Sequence, residues 1–329
     1  MKASEIGEFG LIDLLAKIAG TPTDRELIVG IGDDAAAWQS DAPTQLASVD
    51  SFIQDVHFSP DIAPWEDVGW KTMAASLSDI AAMGGVPRYA LVSLALPGDT
   101  EVDDVTALYR GMTRLGQEFE TAIIGGNISS APVVIISITV LGNSRDKSIL
   151  TRSTARPGEQ IAVSGRLGTG AAGLKMLTGK LQFDPEAAHV LRDAFLHPYP
   201  RISEGQLLVS YGVKTAIDIS DGLISDLKQI CKQSQVGARI EIDRLPVEPT
   251  VKANFGEEAL ELALSGGEDY ELLFTASTEV IEEIKRAAPC PVTVIGEIIA
   301  DKKKGVTLVD SEGKPFNPGG AGWEHFITR

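Results

Sequence analysis

The sequence predicts a chain of two α/β domains. Its 329 residues exceed the length of an average single domain, and predicted strands alternate with predicted helices along most of that length. A polar stretch at residues 142–158 interrupts the alternation, and clustered charged and turn residues of this kind are typical of a domain boundary. We therefore expect an N-terminal domain over residues 1–145 and a C-terminal domain over residues 146–329.

Composition limits the possible partners and the cellular location. The formal net charge of −17 argues against a nucleic-acid surface and against anionic membranes. A phosphorylated ligand stays possible, because Mg²⁺ bridges carboxylates to phosphates. The two cysteines, Cys231 and Cys290, have no metal-type spacing, which favours a reduced compartment. The start of the chain resembles no signal segment and no apolar run is long enough to span a bilayer, so we expect a cytoplasmic protein.

The first acidic stretch is Gly-Ile-Gly-Asp-Asp-Ala-Ala at residues 30–36, after a short predicted strand at 27–29. Its small residues allow the backbone and the carboxylates of Asp33 and Asp34 to approach a bulky ligand. A solvated acidic turn is the alternative. A second predicted strand, at 44–49, ends on Asp50, and open α/β sheets bind ligands at strand ends. A carboxylate that only caps a turn is the competing interpretation of Asp50.

Asp79 lies in a predicted helix over residues 65–83, and it is the only charged residue between Lys71 and Arg88. A lone carboxylate in such an apolar segment needs a partner or a solvent-facing position. We favour a functional carboxylate over a buried structural hydrogen-bonding group.

Further along the chain, a predicted strand at 121–124 stops at the Gly-Gly-Asn turn of residues 125–127.

The C-terminal half contains one misleading motif and two further acidic ones. Residues 168–173 match the dinucleotide glycine pattern, but the required second strand with a terminal acid is missing, which indicates a plain strand-to-helix turn. Asp-Ile-Ser-Asp-Gly at 218–222 follows a predicted strand and suits Mg²⁺ with its water shell. Ser-Gly-Gly-Glu-Asp-Tyr-Glu at 265–271 exposes amides and carboxylates together, unless it is an ordinary turn before a strand. Trp323 is either a stacking platform or an anchor for the tail.

These motifs share one chemistry. Carboxylates at element ends, with few histidines, favour Mg²⁺ over zinc or copper. Several such carboxylates occur together with glycine-rich turns, and Arg152 lies near the predicted domain boundary. This combination indicates phosphoryl transfer. An arginine that stays solvated in a linker is the alternative for Arg152. The lack of an obvious general base favours a phosphate monoester as acceptor, because such a group is already ionised at neutral pH.

Taken in order, the motifs resemble the thiamine-monophosphate kinase family of the aminoimidazole-ribonucleotide-synthetase (PurM-like) superfamily. The resemblance begins at Gly7-Glu8-Phe9 and covers nearly the whole chain. It includes the stretches at 30–34, 77–84, 218–223 and 264–272. It implies two PurM-like α/β domains, with the N-terminal one binding metal and ATP and forming a barrel shared across a homodimer. It also implies Mg²⁺ as cofactor, ATP and thiamine monophosphate as substrates, and thiamine diphosphate as product.

The resemblance also implies roles for individual residues. Asp79, Asp218 and Arg152 would be catalytic. The metal positions would be Asp34, Ser48, Val49, Asp50, Asp79, Asn127, Asp218 and Asp221. ATP would contact Gly126, Asn127, Tyr109, Arg152 and Ser220. Thiamine monophosphate would contact His57, Glu268 and Trp323, and an aromatic face attracts a thiazolium cation.

The sequence departs from the family pattern at two metal positions. Asn127 replaces an aspartate, which keeps an oxygen ligand but removes a charge. Val49 replaces a hydroxyl residue, so only its backbone carbonyl could reach a metal. The alternatives are another ATP-using PurM-like enzyme or a catalytically silent nucleotide- or metal-binding paralogue. Selenophosphate synthetase is disfavoured because no cysteine precedes Cys231, and the hydrogenase-maturation type because the chain lacks a C-terminal cysteine.

Overall fold

The computed structural model describes residues 44–144 and 148–319, together with residues 2, 5, 11, 14–20, 27–29, 37, 38 and 40. The chain divides into two compact units. The N-terminal unit contains Met1–Ile80 and Val86–Lys147, and the C-terminal unit contains Ala81–Gly85 and Ser148–Arg329. In the part of the chain that is described, no helix combines the length and apolar character needed to cross a bilayer.

The N-terminal unit is built on a four-stranded sheet. A separate two-stranded pair joins β1 (Leu27–Val29) to β2 (Ala37–Trp38). The sheet has the order β3-β6-β4-β5, with β3 (Gln45–Ile53), β4 (Val86–Leu96), β5 (Ala122–Ser130) and β6 (Ile135–Asn143). Only β4 and β5 pair in parallel. Helices α1 (Trp65–Ala82) and α2 (Val102–Glu118) belong to the same unit, and residues 14–19 are also helical.

The core of this unit follows from strand periodicity. On β6, Ile136, Ile138 and Val140 are fully buried while the residues between them are half-exposed, because successive side chains point to opposite faces. The two helices cross very closely. A Cβ atom at Gly111 of α2 would lie 1.9 Å from the carbonyl oxygen of Glu66 on α1, so this crossing requires glycine.

The C-terminal unit contains a seven-stranded sheet of order β13-β12-β9-β11-β7-β10-β8. Its pairs are antiparallel except for β9 with β12. The strands are β7 (Gln160–Ser164), β8 (Thr215–Asp218), β9 (Gly237–Glu241), β10 (Leu272–Ala276), β11 (Val292–Ile299), β12 (Val306–Val309) and β13 (Pro315–Phe316). The helices are α3 (Thr169–Gly179), α4 (Pro185–Leu196), α5 (Ile202–Ser210), α6 (Leu223–Ser234), α7 (Pro249–Phe255), α8 (Glu258–Ser265) and α9 (Thr278–Ala287).

Two predicted strand ends in the N-terminal unit are wrong. Asp50 does not terminate its strand, because β3 continues to Ile53, and the strand predicted to stop at residue 124 continues to Ser130. β3 is an edge strand, where polar residues such as Asp50 are readily accommodated. In the sequence, Gly126 indicates the end of a strand. It is instead needed within β5, since a Cβ atom there would lie 1.9 Å from the carbonyl oxygen of Val92 on β4.

Candidate functional site

A pair of carboxylates lies on the core-facing side of β3. Ser48 and Asp50 are two residues apart on one strand and therefore share a face. The Ser48 hydroxyl donates a hydrogen bond to Oδ2 of Asp79 on α1. Burial, and next the negative charge of Asp79, raise the pKa of Asp50 to about 6, although a hydrogen bond with the Ser76 side chain opposes the shift. The structure thus brings Ser48, Asp50 and Asp79 together in a cluster that resists carrying two negative charges.

This cluster has the donor chemistry of a magnesium site. Carboxylate and hydroxyl oxygens are ligands that Mg²⁺ accepts. A divalent cation would offset both the burial and the repulsion by Asp79 that raise the pKa of Asp50. Val49 points to the opposite face, and 62% of its surface is exposed. Only the backbone carbonyl of Val49 has the chemistry of a metal ligand, as expected from the sequence.

Gly126 and Asn127 lie on β5, at the opposite edge of the sheet from β3. Two strands separate these edges, so Asn127 is not a sheet neighbour of Asp50. Both residues are exposed. Their predicted contacts with ATP and metal stay predictions.

Two further predicted ligand contacts of the N-terminal unit have different surroundings. Nδ1 of His57 accepts a hydrogen bond from the backbone N–H of Ile53 at 3.1 Å, which assigns the ring proton to Nε2. Tyr109 is only 5% exposed within α2, and burial raises the pKa of its phenol above the ordinary value. His57 is partly exposed and can donate to a ligand, whereas the side chain of Tyr109 is part of the core.

In the C-terminal unit, the loop of residues 218–222 connects β8 to α6. Asp218 is the buried last residue of β8, Ser220 is partly exposed and Asp221 is exposed. The carboxylate of Asp226, on the first turn of α6, accepts the backbone N–H groups of residues 220, 221 and 222 at 3.1, 3.2 and 3.1 Å. Burial, and then the charges of Asp218 and Asp221, raise the pKa of Asp226 to about 8. Asp226 therefore fixes the loop that carries the predicted ligands.

The loop of residues 265–271 packs directly on this first loop. The Glu268 N–H donates to the carbonyl of Ser220 at 2.9 Å, and the Tyr270 N–H donates to the carbonyl of Ile219 at 2.8 Å. Glu268 and Tyr270 have φ angles of 65° and 51°. Non-glycine residues in this region cost free energy and are common at functional sites. The second and third acidic motifs of the sequence are therefore one structural feature.

The glycine pattern at 168–173 is a strand-to-helix turn, as predicted. Asp269 accepts the backbone N–H of Gly168 at 2.9 Å and that of Gly170 at 3.2 Å, at the start of α3. A carboxylate therefore already occupies the amides that a phosphate-binding loop would offer. Burial raises the pKa of Asp269 to about 7, against the lowering effect of these amides.

The remaining predicted site residues make few described contacts or lie outside the described residues. The side chain of Arg152 is exposed, and its carbonyl accepts a hydrogen bond from the Ser234 hydroxyl at 2.8 Å. Asp33, Asp34 and Trp323 lie outside the described residues. Within residues 44–144 and 148–319, no group of three or more His, Cys, Asp or Glu side chains is arranged to hold a metal ion.

Two structurally important side chains, Asp226 and Arg201, are not predicted from the sequence. Asp226 resembles any acidic residue in a first helical turn, where the helix dipole favours it. Arg201 donates from Nε and Nη2 to the Glu271 carboxylate at 2.8 and 2.5 Å, although the two residues are 70 positions apart. A pair so distant in sequence leaves no local pattern.

Comparisons with known proteins match most of the chain. The model of the N-terminal domain of AIR synthase related proteins matches residues 32–143, and that of the C-terminal domain matches residues 156–309. The thiamine-monophosphate kinase of Bacillus subtilis is 36% identical over 310 residues, which cover 91% of this chain and 93% of the relative.

Solved structures agree with the sequence comparison. The thiamine-monophosphate kinase of Stenotrophomonas maltophilia has a TM-score of 0.82 and 32% identity, covering 93% of this chain and 96% of the other. The structure of AaThiL complexed with AMPPCP and TMP has a TM-score of 0.78 and 34% identity, covering 99% of both chains.

Proposed function

Because this chain belongs to the thiamine-monophosphate kinases of the AIR synthase related family, we propose that it phosphorylates thiamine monophosphate with ATP. The product is thiamine diphosphate, formed by in-line transfer of the γ-phosphoryl group to the substrate phosphate. The observation that carries the proposal is the cluster of Ser48, Asp50 and Asp79. Its two carboxylates repel one another, and a cation that bridges phosphates relieves this repulsion.

Magnesium fits the donor set of the chain. Asp50, Asp79 and Ser48 provide hard oxygen ligands in one cluster, and Asp218 and Asp221 provide further ones. We assign the remaining metal contacts to Asp34, Asn127 and the Val49 carbonyl. When bound, Mg²⁺ neutralises the phosphate charge that accumulates during transfer.

The chain's own residues orient the two substrates. Ser220 offers a hydroxyl on a loop fixed by Asp226, and Arg152 is an exposed cation suited to a phosphate. We extend ATP binding to Gly126, Asn127 and the 5% of the Tyr109 surface that is exposed. For the acceptor we assign His57, whose Nε2 is a donor, together with Glu268 and Trp323. The acceptor phosphate is ionised at neutral pH, so no general base has to remove a proton from it.

We also propose a homodimer, with the sheets of the two N-terminal domains closing into one barrel. The outer face of the sheet supports this arrangement. Val49, Thr139 and Leu91 lie side by side in register on that face, and Val49 is 62% exposed. β3 and β5 are edges of the sheet, and closure removes such edges. Sedimentation of the purified chain tests the stoichiometry, and a monomer at micromolar concentration contradicts it.

Asp79→Asn tests the catalytic proposal. The variant removes one charge from the cluster but keeps an oxygen that accepts the Ser48 hydrogen bond. We expect kcat to fall by about 10²-fold or more, with an unchanged unfolding midpoint. The assay measures thiamine diphosphate by chromatography. Asp61→Asn, which changes an exposed aspartate of the same unit, is the control and should have wild-type activity.

The outcome also separates the alternatives. Wild-type protein that binds ATP without forming thiamine diphosphate would indicate a silent paralogue. Turnover of ATP with a different acceptor would indicate another enzyme of the superfamily. An unchanged kcat for Asp79→Asn would remove Asp79 from the site.

A further inference from the structure

Arg201 and Glu271 form a largely buried ion pair in the C-terminal unit. Arg201 directly precedes α5, and Glu271 directly precedes β10. Nε and Nη2 of Arg201 donate to the two oxygens of the Glu271 carboxylate at 2.8 and 2.5 Å. The side chain of Glu271 is 7% exposed and that of Arg201 is 23% exposed. Such a two-pronged contact fixes the orientation of a carboxylate as well as its distance.

The end of β7 also fits this carboxylate closely. The hydroxyl of Ser164 donates to Oε2 of Glu271 at 2.5 Å and accepts the backbone N–H of Leu272 at 2.8 Å. A Cβ atom at Gly165 would lie 1.9 Å from Oε1 of Glu271, so glycine leaves the room that the carboxylate needs. The Glu271 side chain is therefore held in place by residues that lie far from it in the sequence.

The backbone of Glu271 is in turn bonded to the loop of residues 218–222. Its carbonyl oxygen accepts the backbone N–H of Ile219 at 2.8 Å. The next residue, Leu272, pairs with Asp218 in the ladder between β8 and β10. A displacement of Glu271 would therefore also displace the loop for which we propose metal and ATP contacts.

Stability alone is a weak reason for this ion pair. Transfer of two charges out of water costs free energy, and apolar side chains can often replace a buried ion pair without loss of stability. The planar fork of an arginine, however, fixes a carboxylate more narrowly than the flexible ammonium group of a lysine does. The geometry is therefore better suited to positioning Glu271 than to stabilising the unit.

We propose that Arg201 is a positioning residue for the loop of residues 218–222 and acts on this loop through Glu271. The proposal rests on the proposed function, which assigns magnesium to Asp218 and Asp221 and ATP to Ser220. Loss of the fork should therefore weaken binding of the metal with the nucleotide, in addition to any effect on stability.

Arg201→Lys tests this role, because it keeps the positive charge and removes the fork. The matched control is Arg239→Lys, since Arg239 pairs with Glu297 at 3.0 Å in the same unit and three strands separate its strand, β9, from β8. The probe is Mn²⁺, which accepts the oxygen ligands of Mg²⁺. Electron paramagnetic resonance measures its binding in the presence of a non-hydrolysable ATP analogue. We expect the Kd of Mn²⁺ to rise by about 5-fold in Arg201→Lys and to stay unchanged in Arg239→Lys.

Ser164→Ala is a milder second variant. It removes one donor to the Glu271 carboxylate and keeps Arg201, so we expect the Kd of Mn²⁺ to rise by about 2-fold. Unfolding midpoints are measured for all variants. A lower midpoint with an unchanged Kd in Arg201→Lys would mean that the ion pair is purely structural, and it would overturn the proposal. An equal rise of the Kd in Arg239→Lys would also overturn it.

The binding measurement requires no turnover, so it separates failure of this inference from failure of the proposed function. Weaker Mn²⁺ binding in Arg201→Lys and Ser164→Ala, but not in Arg239→Lys, supports the positioning role whether or not the protein makes thiamine diphosphate. An unchanged Kd in Arg201→Lys overturns the positioning role, even where wild type makes thiamine diphosphate. Absence of Mn²⁺ binding to wild type overturns it as well.

Discussion

The titration of Asp269 tests how the C-terminal unit balances burial against hydrogen bonding. Its carboxylate accepts amides at the start of α3, yet burial raises its pKa from 3.8 to about 7. The unfolded chain releases this proton near pH 4, whereas the folded protein keeps it until about pH 7. Between these values the folded state binds more protons, so the contribution of Asp269 to stability declines as pH rises.

The magnitude follows from the two pKa values. One group that shifts from 3.8 to about 7 loses about 2 kcal/mol of stabilisation between pH 5.5 and pH 8. The substitution Asp269→Asn removes the titration but keeps an oxygen that accepts the Gly168 and Gly170 amides. We therefore expect the stability of wild type relative to Asp269→Asn to decrease by about that amount across the range.

The assay is urea unfolding of both proteins at closely spaced pH values, followed by tryptophan fluorescence and circular dichroism. Other titrating groups are common to the two proteins, so they cancel in the difference. A difference that is constant between pH 5.5 and pH 8 would mean that the folded pKa of Asp269 is not raised, and it would refute the argument from burial. If the amides outweigh burial, the folded pKa lies below 3.8, and wild type gains stability relative to Asp269→Asn only as pH rises towards about 5.

Two further substitutions test packing and loop support. Gly111→Ala should lower the unfolding free energy by about 1–3 kcal/mol in urea unfolding, because its Cβ atom would lie 1.9 Å from the Glu66 carbonyl oxygen. A variant as stable as wild type would contradict the close crossing of α1 and α2. Asp226→Ala should lower the unfolding free energy by about 1–3 kcal/mol and raise KM for ATP, because three amides of the 218–222 loop lose their acceptor. Asp226→Asn keeps an acceptor oxygen and should retain most of the stability and of the affinity for ATP. Equal losses in the two variants would mean that the charge of Asp226, and not its hydrogen bonding, supports the loop.

The sequence predicts the class of fold better than the arrangement of its strands. Alternating strand and helix patterns identify a two-domain α/β chain, and the ordered motifs correctly identify the family. Neither reveals that the C-terminal sheet is almost entirely antiparallel. Strand order depends on pairings between distant segments, such as β7 with β10, and local periodicity contains no information about them.

The candidate site shows the same limit at the level of single residues. In the sequence, Asp50 is conspicuous at the end of a predicted strand and Asp79 as a lone acid in an apolar segment, but only the fold reveals the electrostatic coupling between them. The prediction that Asp50 ends its strand fails because an edge strand tolerates a polar residue in its middle. Arg201 has no periodic or motif signal, and its position follows from the chain path between α4 and α5.

The two acidic loops of the C-terminal unit depend on each other, and this dependence limits how the site can change. Backbone hydrogen bonds join Ser220 to Glu268 and Ile219 to Tyr270, and a Cβ atom at Gly267 would lie 2.5 Å from the Ser220 carbonyl oxygen. Since Gly267 also has a φ of 69°, any side chain there meets both a strained backbone and a close contact. A substitution that moves the Glu268 loop must therefore also move the loop that carries Asp218 and Asp221. Glu268, which we propose to bind the acceptor, and Asp218 and Asp221, which we propose to bind magnesium, are thus positioned by one backbone network. A change in this network would alter acceptor recognition and this part of the metal geometry together.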